Sequence, residues 1–198
     1  MAAGTRFAES GGVGLPPAFA ATLTPMRFDP IVQMPSLESA VWQRFAVHAF
    51  EGKVTVDDMD RMEESADRWL RRNPGRMVEM VIIFPSDAGM TGDERKRMAA
   101  LIKRWEANRA ASATVILATG IAGSMHRSVL TGLMMLAPPP HPAKVFGAVH
   151  DAALWLAPHI QSVCGVDARA DTLAMAVNEM TSSFRARRRS AGLGVGGS

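Results

Sequence analysis

A short polar segment, Pro85 to Thr91, carries two hydroxyl groups, Ser86 and Thr91, at the start of a predicted helix. Free backbone N–H groups and the helix dipole favour an anion at such a position, so either hydroxyl could accept a phosphate there. The run Thr91-Gly92-Asp93-Glu94 also fits a capping box, in which the Thr and Glu side chains accept hydrogen bonds from each other's backbone N–H groups. Helix capping is a sufficient explanation of this segment, and phosphate acceptance at Ser86 or Thr91 is the functional alternative.

A second polar segment, residues 119–127, contains two glycines and ends in three side chains that could contact an anion: Ser124, His126 and Arg127. Glycine allows a ligand to approach the backbone closely, and Ser124 can cap the helix that follows. The segment lacks the Gly-Lys-Ser/Thr ending of a phosphate loop and the glycine spacing of a dinucleotide site. A plain strand-to-helix turn is therefore the main interpretation. A small anionic ligand, a nucleotide or a phosphorylated partner is the alternative.

The remaining reactive side chains show no catalytic or metal-binding spacing. The five histidines do not share a helix face at ligand spacing, and no cysteine pair accompanies them, so neither a metal ion nor another cofactor is expected. Ser124 and His126 are close in sequence, but no G-x-S-x-G elbow and no orienting carboxylate is evident. We therefore expect no enzyme activity.

The composition indicates a single globular domain. With 198 residues, of which 47% are hydrophobic and 21% are charged, the chain can fill one core but not two. The formal net charge is +3, and much of the basic excess lies in four arginines near the end of the chain, Arg185, Arg187, Arg188 and Arg189. Because no aromatic residues are interleaved with them, these arginines indicate a solvated tail, and nucleic-acid binding is not expected.

The same sequence indicates a cytoplasmic protein without membrane insertion. Cys164 is the single cysteine, so no intramolecular disulfide can form. No early segment combines a basic start with a sustained apolar run. The longest central apolar run, Val129 to Pro140, includes Gly132 and three prolines and is shorter than the roughly 20 residues that span a bilayer.

Apolar patterns divide the chain into alternating strands and helices. Alternating or continuous apolar runs predict strands, and apolar residues three and four positions apart predict amphipathic helices. The predicted strands are residues 26–34, 41–50, 77–84, 114–118 and 144–146. The first predicted helix lies between Thr55 and Asn73. The other predicted helices are residues 91–110, 124–136, 149–156 and 167–184.

This order predicts an α/β fold with a mixed sheet of four to five strands, antiparallel at its start and parallel in its centre, flanked by helices. Residues 26–160 are expected to form one domain, and residues 161–184 an extra C-terminal helix. Residues 1–25, rich in Ala, Gly, Thr and Pro, are expected to be a flexible N-terminal segment. Residues 185–198 are expected to be a disordered basic and glycine-rich tail.

Two stretches of the sequence carry a family resemblance. The apolar strand Met77 to Phe84 leads into the helix Thr91 to Ala110, and the later stretch Lys144 to Leu156 reads K-V-F-G-A-V-H-D-A-A-L-W-L. Over about residues 26–158 this arrangement resembles the STAS and SpoIIAA-like domains. In that group a short last strand ending in phenylalanine precedes a helix with an alanine-rich, tryptophan-leucine face, which here corresponds to Phe146, Ala152, Ala153, Trp155 and Leu156.

The resemblance implies a STAS-like sheet and a regulatory module that is not an enzyme. Some members are controlled by phosphorylation at the start of the helix after the central strand, which corresponds to residues 85–91. Bacterial anti-sigma antagonists usually carry an Asp-Ser-Ser-Gly-like motif there, whereas this chain reads P-S-D-A-G-M-T. The expected function is a non-enzymatic regulatory or scaffolding module that acts through a protein partner or as a homodimer. The alternative is a module that binds a small anion or a nucleotide with residues 85–91 and 119–127.

The third predicted helix is a candidate partner surface. It is rich in methionine, including Met125 and Met134, and is expected to be mostly core. If its Val129, Leu133 and Leu136 side is exposed instead, the helix would present an adaptable apolar surface to a partner.

Overall fold

The computed structural model describes residues 26–86, 89–136 and 138–192, which form a six-stranded mixed sheet flanked by helices. The strands lie side by side in chain order: β1 (Asp29–Gln33), β2 (Leu37–Trp42), β3 (Phe45–Phe50), β4 (Met77–Ile83), β5 (Arg109–Ile116) and β6 (Ala143–Phe146). The pairs β1–β2 and β2–β3 are antiparallel, and β3 to β6 are parallel to one another. The α/β class and the mixed sheet are confirmed, but the sheet has six strands rather than four or five.

One extra strand comes from residues 41–50, which the alternating pattern predicted as a single strand. The structure divides this stretch into a hairpin, in which Trp42 at the end of β2 pairs with Phe45 at the start of β3. Gln43 has a φ of 54°, in the left-handed region, which lets the chain reverse within two residues. The single-strand prediction is therefore wrong, because the alternation continues through the turn and no glycine or asparagine marks it.

Within the described ranges the chain forms five α-helices: α1 (Val56–Arg72), α2 (Gly92–Arg104), α3 (Gly120–Leu136), α4 (Val149–Cys164) and α5 (Ala170–Ser190). The first three helices each connect two neighbouring parallel strands. Parallel strands need such a crossover because the chain must return to the same end of the sheet before the next strand begins. A short 3-10 turn, Glu106–Asn108, precedes β5. No helix among these residues combines the length and the apolar character needed to cross a membrane.

Two apolar clusters pack against opposite faces of the sheet. On one face α4 and α5 cover the central strands, and Phe45, Met80 and Leu156 are fully buried there. On the other face α1 and α2 close over a smaller cluster that contains Met59 and Leu101. Because helices cover both faces, β4 can be a nearly continuous apolar strand.

The end of the chain differs most from the expectation. α4 continues to Cys164, so residues 161–164 do not belong to the last helix, and α5 continues to Ser190. Residues 185–190 are thus helical and are not the expected disordered tail. Their arginines contact two buried carboxylates, as Arg185 and Arg188 pair with Glu51, and Arg187 pairs with Glu38. The expectations for residues 1–25 and 193–198 lie outside the described residues.

Candidate functional site

The two polar segments leave the same edge of the sheet. β4 ends at Ile83 and β5 ends at Ile116. The backbone N–H of Leu117 donates to the carbonyl oxygen of Ile83 at 3.0 Å, which holds the starts of the segments side by side. This carboxyl edge of parallel strands is where α/β domains most often bind ligands.

In the first segment, Thr91 is the N-cap of α2. Its hydroxyl accepts a hydrogen bond from the N–H of Glu94 at 3.3 Å, and Glu94 Oε2 accepts one from the N–H of Thr91 at 2.6 Å. The backbone hydrogen bond from Thr91 is the main cause of a lowered pKa of Glu94, and Lys53 Nζ lies 3.6 Å from that carboxylate. A carboxylate therefore already occupies the helix start. Ser86 is exposed just after β4, and residues 87–88 beyond it lie outside the described ranges.

In the second segment, the half-buried Arg127 folds back onto the end of β5. Its NH1 group donates to the carbonyl oxygens of Ile116 and Ala118 at 3.3 and 3.0 Å, and its NH2 group donates to Ser124 Oγ at 3.2 Å. A guanidinium has five N–H donors and no acceptor, so these contacts use donors that an anion would need. The structure brings Ser124 and Arg127 together, whereas the side chain of His126 lies outside the described part.

The two glycines of this segment lie in the first turn of α3. Gly120 has a φ of +68°, in the left-handed region that glycine adopts without strain. A Cβ added to Gly123 would lie 1.9 Å from the carbonyl oxygen of Ala118. The chain fills the space beside Gly123, whereas nothing lies within 4 Å of a Cβ at Gly120. Helix α3 begins at Gly120 rather than near Ser124, so residues 120–127 are already helical and the strand-to-helix connection is shorter than the sequence predicted.

A buried polar chain crosses four neighbouring strands beneath α1 and α2, and the sequence patterns did not predict it. Its members are Ser39 on β2, His48 on β3, Glu79 on β4 and Arg109 on β5, each at most 7% exposed. Ser39 Oγ lies 2.7 Å from His48 Nδ1, and His48 Nε2 lies 3.2 Å from Glu79 Oε1. Arg109 donates to both carboxylate oxygens of Glu79 from Nε and NH2. We call this set the buried polar chain.

The electrostatics of the buried polar chain keep Glu79 ionised. Burial alone would raise the pKa of Glu79, but the hydrogen bond from His48 and the positive charge of Arg109 outweigh it and lower the pKa to about 2. With its proton on Nε2, His48 donates to Glu79, and its Nδ1 atom faces the Ser39 hydroxyl. Each charged group therefore has an opposite charge or a hydrogen-bond partner, as burial requires.

Ser39, His48 and Glu79 provide the three group types of a hydrolytic triad, but Ser39 cannot meet a substrate. A nucleophilic serine acts at the surface of a cleft that admits the scissile bond. Ser39 is 1% exposed, on the sheet face that α1 and α2 cover. The arrangement is suited to holding strands together rather than to acyl transfer.

A second polar pair, in which His141 is buried and Ser112 is half-buried, lies next to the buried polar chain. Ser112, which pairs with Glu79 across the β4–β5 ladder, has its Oγ 3.0 Å from Nε2 of His141. Burial, followed by the charge of Arg109, lowers the pKa of His141, and its buried Nδ1 has no hydrogen-bond partner among the described residues. His141 is thus held neutral. In the described part of the chain, no group of three or more His, Cys, Asp or Glu side chains could hold a metal ion.

The most exposed apolar surface near the carboxyl edge lies on α3. Met125 and Val129 are one helical turn apart and are 61% and 57% exposed. Ser124, Ser128 and Thr131 are also exposed. We call these five residues the α3 face, and it carries no charge. α3 packs against β5 and against β6, which is the last strand of the sheet, so the α3 face lies at the rim of the fold.

The sequence predicted a partner surface on this helix if Val129, Leu133 and Leu136 are exposed. Of these three side chains, Val129 is exposed. The side chains of Leu133 and Leu136, the other two members of that predicted side, lie outside the described part of α3. The α3 face is therefore defined by Met125 and Val129 rather than by the whole predicted set.

Comparison with known proteins provides no relative from which to infer a function. No family model, no curated protein and no solved structure matches the chain. The resemblance to STAS and SpoIIAA-like domains stays a prediction.

Proposed function

We propose that the chain is a non-enzymatic regulatory or scaffolding module of the STAS-like kind, which acts through protein contacts and associates with a second copy of itself. The observation that carries the proposal is the α3 face, where Met125 and Val129 are exposed on a surface without charge. Large side chains exposed together on an uncharged surface are typical of contact sites. Methionine suits such a site because its side chain adapts to the surface opposite.

A second copy of the chain suits the α3 face because two copies of an uncharged surface can meet without repulsion between like charges. A two-fold axis would place Met125 of one copy against Val129 of the other, with no like charges in contact. The surfaces of α1 and α2 are different, since Arg97 and Arg104 pair there with acidic residues of α1. None of the five residues of the α3 face offers a charge to a charged partner, and Arg127, which contacts Ser124, is half-buried and donates to Ile116 and Ala118.

The buried polar chain supports the non-enzymatic part of the proposal. Its serine, histidine and carboxylate lie under two helices, and their hydrogen bonds are made to one another. Catalysis by this set would require α1 and α2 to separate from the sheet. The structural explanation needs no such movement.

The alternative function, binding of a small anion or nucleotide by residues 85–91 and 119–127, has less support. Glu94 already occupies the start of α2, and Arg127 donates to main-chain carbonyl oxygens. An anion at the start of α2 would have to replace the contact of Glu94, and an anion at Arg127 would have only the N–H groups that its three hydrogen bonds leave. We therefore favour protein association as the function of this edge.

Size-exclusion chromatography with light scattering, over a wide range of concentrations, tests the proposal. We expect the wild-type chain to form a dimer and Met125→Lys to be a folded monomer, because the substitution places a charge at the centre of the α3 face. Met175→Lys on α5 is the matched control, since Met175 is 72% exposed and lies outside the α3 face. A wild-type monomer at every concentration, or a dimer that survives Met125→Lys, would contradict the proposal.

A further inference from the structure

A cleft of about 360 Å³ opens between the C-terminal half of α1 and the edge of the sheet formed by β1 and β2. α1 contributes Arg68, Trp69 and Arg72, and Arg72 lies one helical turn after both of the others, so it is their neighbour on the helix surface. β1 contributes Asp29 and Ile31 to the opposite wall. The volume lies within the range of about 300–1,000 Å³ that is usual for small-molecule sites.

A β-bulge in β1 shapes the wall opposite the helix. Pro30 pairs with Ala40 and Val32 pairs with Ser39, so Ile31 between them has no partner on β2. A bulge of this kind bends the strand and redirects the side chain of the extra residue, and bulges are frequent beside binding sites. Here the redirected residue is Ile31, and it lines the cleft.

The cleft has an excess of positive charge. It contains two guanidinium groups, from Arg68 and Arg72, and one carboxylate, from Asp29. Arg68 contacts Ser65 and the exposed Glu64 of its own helix at 3.0 and 3.7 Å. No ion pair or hydrogen bond within the described ranges involves the Arg72 side chain, so its planar donors are available to a ligand.

From these observations we infer that the cleft binds a small organic anion in which a phosphate or a carboxylate is attached to a flat apolar group. The arginines would bind the anionic group in the two-point manner that guanidinium allows. The indole of Trp69 and the side chain of Ile31 would contact the flat group. The cleft has no described residue in common with the α3 face, so this inference and the proposed function can fail separately.

Isothermal titration calorimetry of the full chain with 1-naphthyl phosphate tests the inference, with inorganic phosphate and 1-naphthol as the two halves of the probe. We expect 1-naphthyl phosphate to bind at least about tenfold more tightly than either half. Arg72→Ala should weaken its binding by about tenfold or more, because a charge-assisted contact is lost. Arg71→Ala is the matched control, since Arg71 is the preceding exposed arginine and does not line the cleft.

Nuclear magnetic resonance of the indole N–H groups locates the probe without a substitution. We expect the signal of Trp69 to move on titration with 1-naphthyl phosphate. The signal of Trp155 on α4 should stay in place, because Trp155 packs against Phe146 of β6 and His159 of its own helix. No heat of binding, or equal losses of affinity in Arg72→Ala and Arg71→Ala, would overturn the inference. A shift confined to indoles other than Trp69 would overturn it as well.

Discussion

Glu79 is the side chain that joins the central strands of the sheet. From β4 it accepts hydrogen bonds from His48 on β3 and from Arg109 on β5. A buried ion pair of this kind adds little net stability compared with an apolar pair of the same shape, but removal of one partner leaves the other buried and uncompensated. Removal of one partner from Glu79 is therefore expected to cost more free energy of unfolding than the intact ion pair contributes.

Glu79→Gln is expected to destabilise the fold by about 3–5 kcal/mol, because Arg109 would stay buried without a negative partner. Urea unfolding followed by circular dichroism measures the change. Glu64→Gln is the matched control, since the Glu64 side chain is 72% exposed and lies 3.7 Å from Arg68. Exposed pairs of this kind contribute less than about 1 kcal/mol. Equal effects of the two substitutions would contradict the role given to Glu79.

The same carboxylate makes the stability sensitive to acid. Its pKa is lowered from 4.5 to about 2 in the fold, so the unfolded chain binds a proton first as the pH falls. The stabilisation by Glu79 is therefore complete above a pH of about 4.5 and is lost as the pH falls through about 2. The difference in unfolding free energy between the wild type and Glu79→Gln should narrow over that interval. A difference that does not change with pH would contradict the ionised state of Glu79.

The sequence contains a signal for Glu79 but none for its partners. A lone acidic residue in the run M-V-E-M-V-I-I-F is unusual for a strand covered on both faces. Arg109, however, is 30 residues away, and only the register of β4 and β5 places it beside Glu79. By contrast, Ser124 and Arg127 are three residues apart, so helix geometry alone brings them together.

At the scale of elements, the last turns of α5 fasten the C-terminal helix to the antiparallel part of the sheet. Arg187 contacts Glu38 on β2, and Arg185 and Arg188 contact Glu51 just after β3. Arg185 also lies over the ring of Phe84, 4.9 Å from its centre. The sequence predicted that these arginines lie in a solvated tail. In the structure they form ion pairs with buried acidic side chains that are distant along the chain.

Removal of these turns is expected to lower the stability of the whole domain. A chain that ends at Phe184 loses the cations that face Glu38 and Glu51, and the loss of such a partner costs a buried carboxylate about 1–3 kcal/mol. Glu38 keeps the hydrogen bond from Gln33, so the larger part of the loss is expected at Glu51. A chain that ends at Ser190 keeps the contacts of Arg185, Arg187 and Arg188 with Glu51 and Glu38, and should unfold close to the temperature of the full chain. Thermal unfolding by circular dichroism compares the three. Equal midpoints for the two shortened chains would show that the arginines do not stabilise the fold.

The elements that the sequence predicted best are those with local signals. The start of α2 follows from the capping box of Thr91 and Glu94, which needs only four consecutive residues. The β2–β3 hairpin carries no such signal, because Gln43 adopts the left-handed conformation that glycine or asparagine usually marks. Which helix covers which sheet face also follows only from tertiary packing.

At the scale of the whole molecule, the surface divides into charged and neutral parts. Arg97 and Arg104 of α2 pair with Asp60, Glu63 and Asp67 of α1, so the outer side of that helix pair is charged but largely neutralised within itself. The α3 face at the other part of the sheet, beside β5 and β6, carries no charge. This contrast is the reason for assigning association to α3 rather than to α1 and α2.

Association through the α3 face should make the thermal stability depend on concentration. A partner that binds only the folded chain stabilises it by mass action, so the unfolding midpoint of a dimer rises as the chain is concentrated. Over about a hundredfold range of concentration we expect the midpoint to rise for the wild type and for Met175→Lys, and to stay constant for Met125→Lys. Differential scanning fluorimetry measures all three. A rise that persists in Met125→Lys would place the contact on another surface, because a lysine at the centre of the α3 face cannot be buried against its own copy without a large desolvation cost.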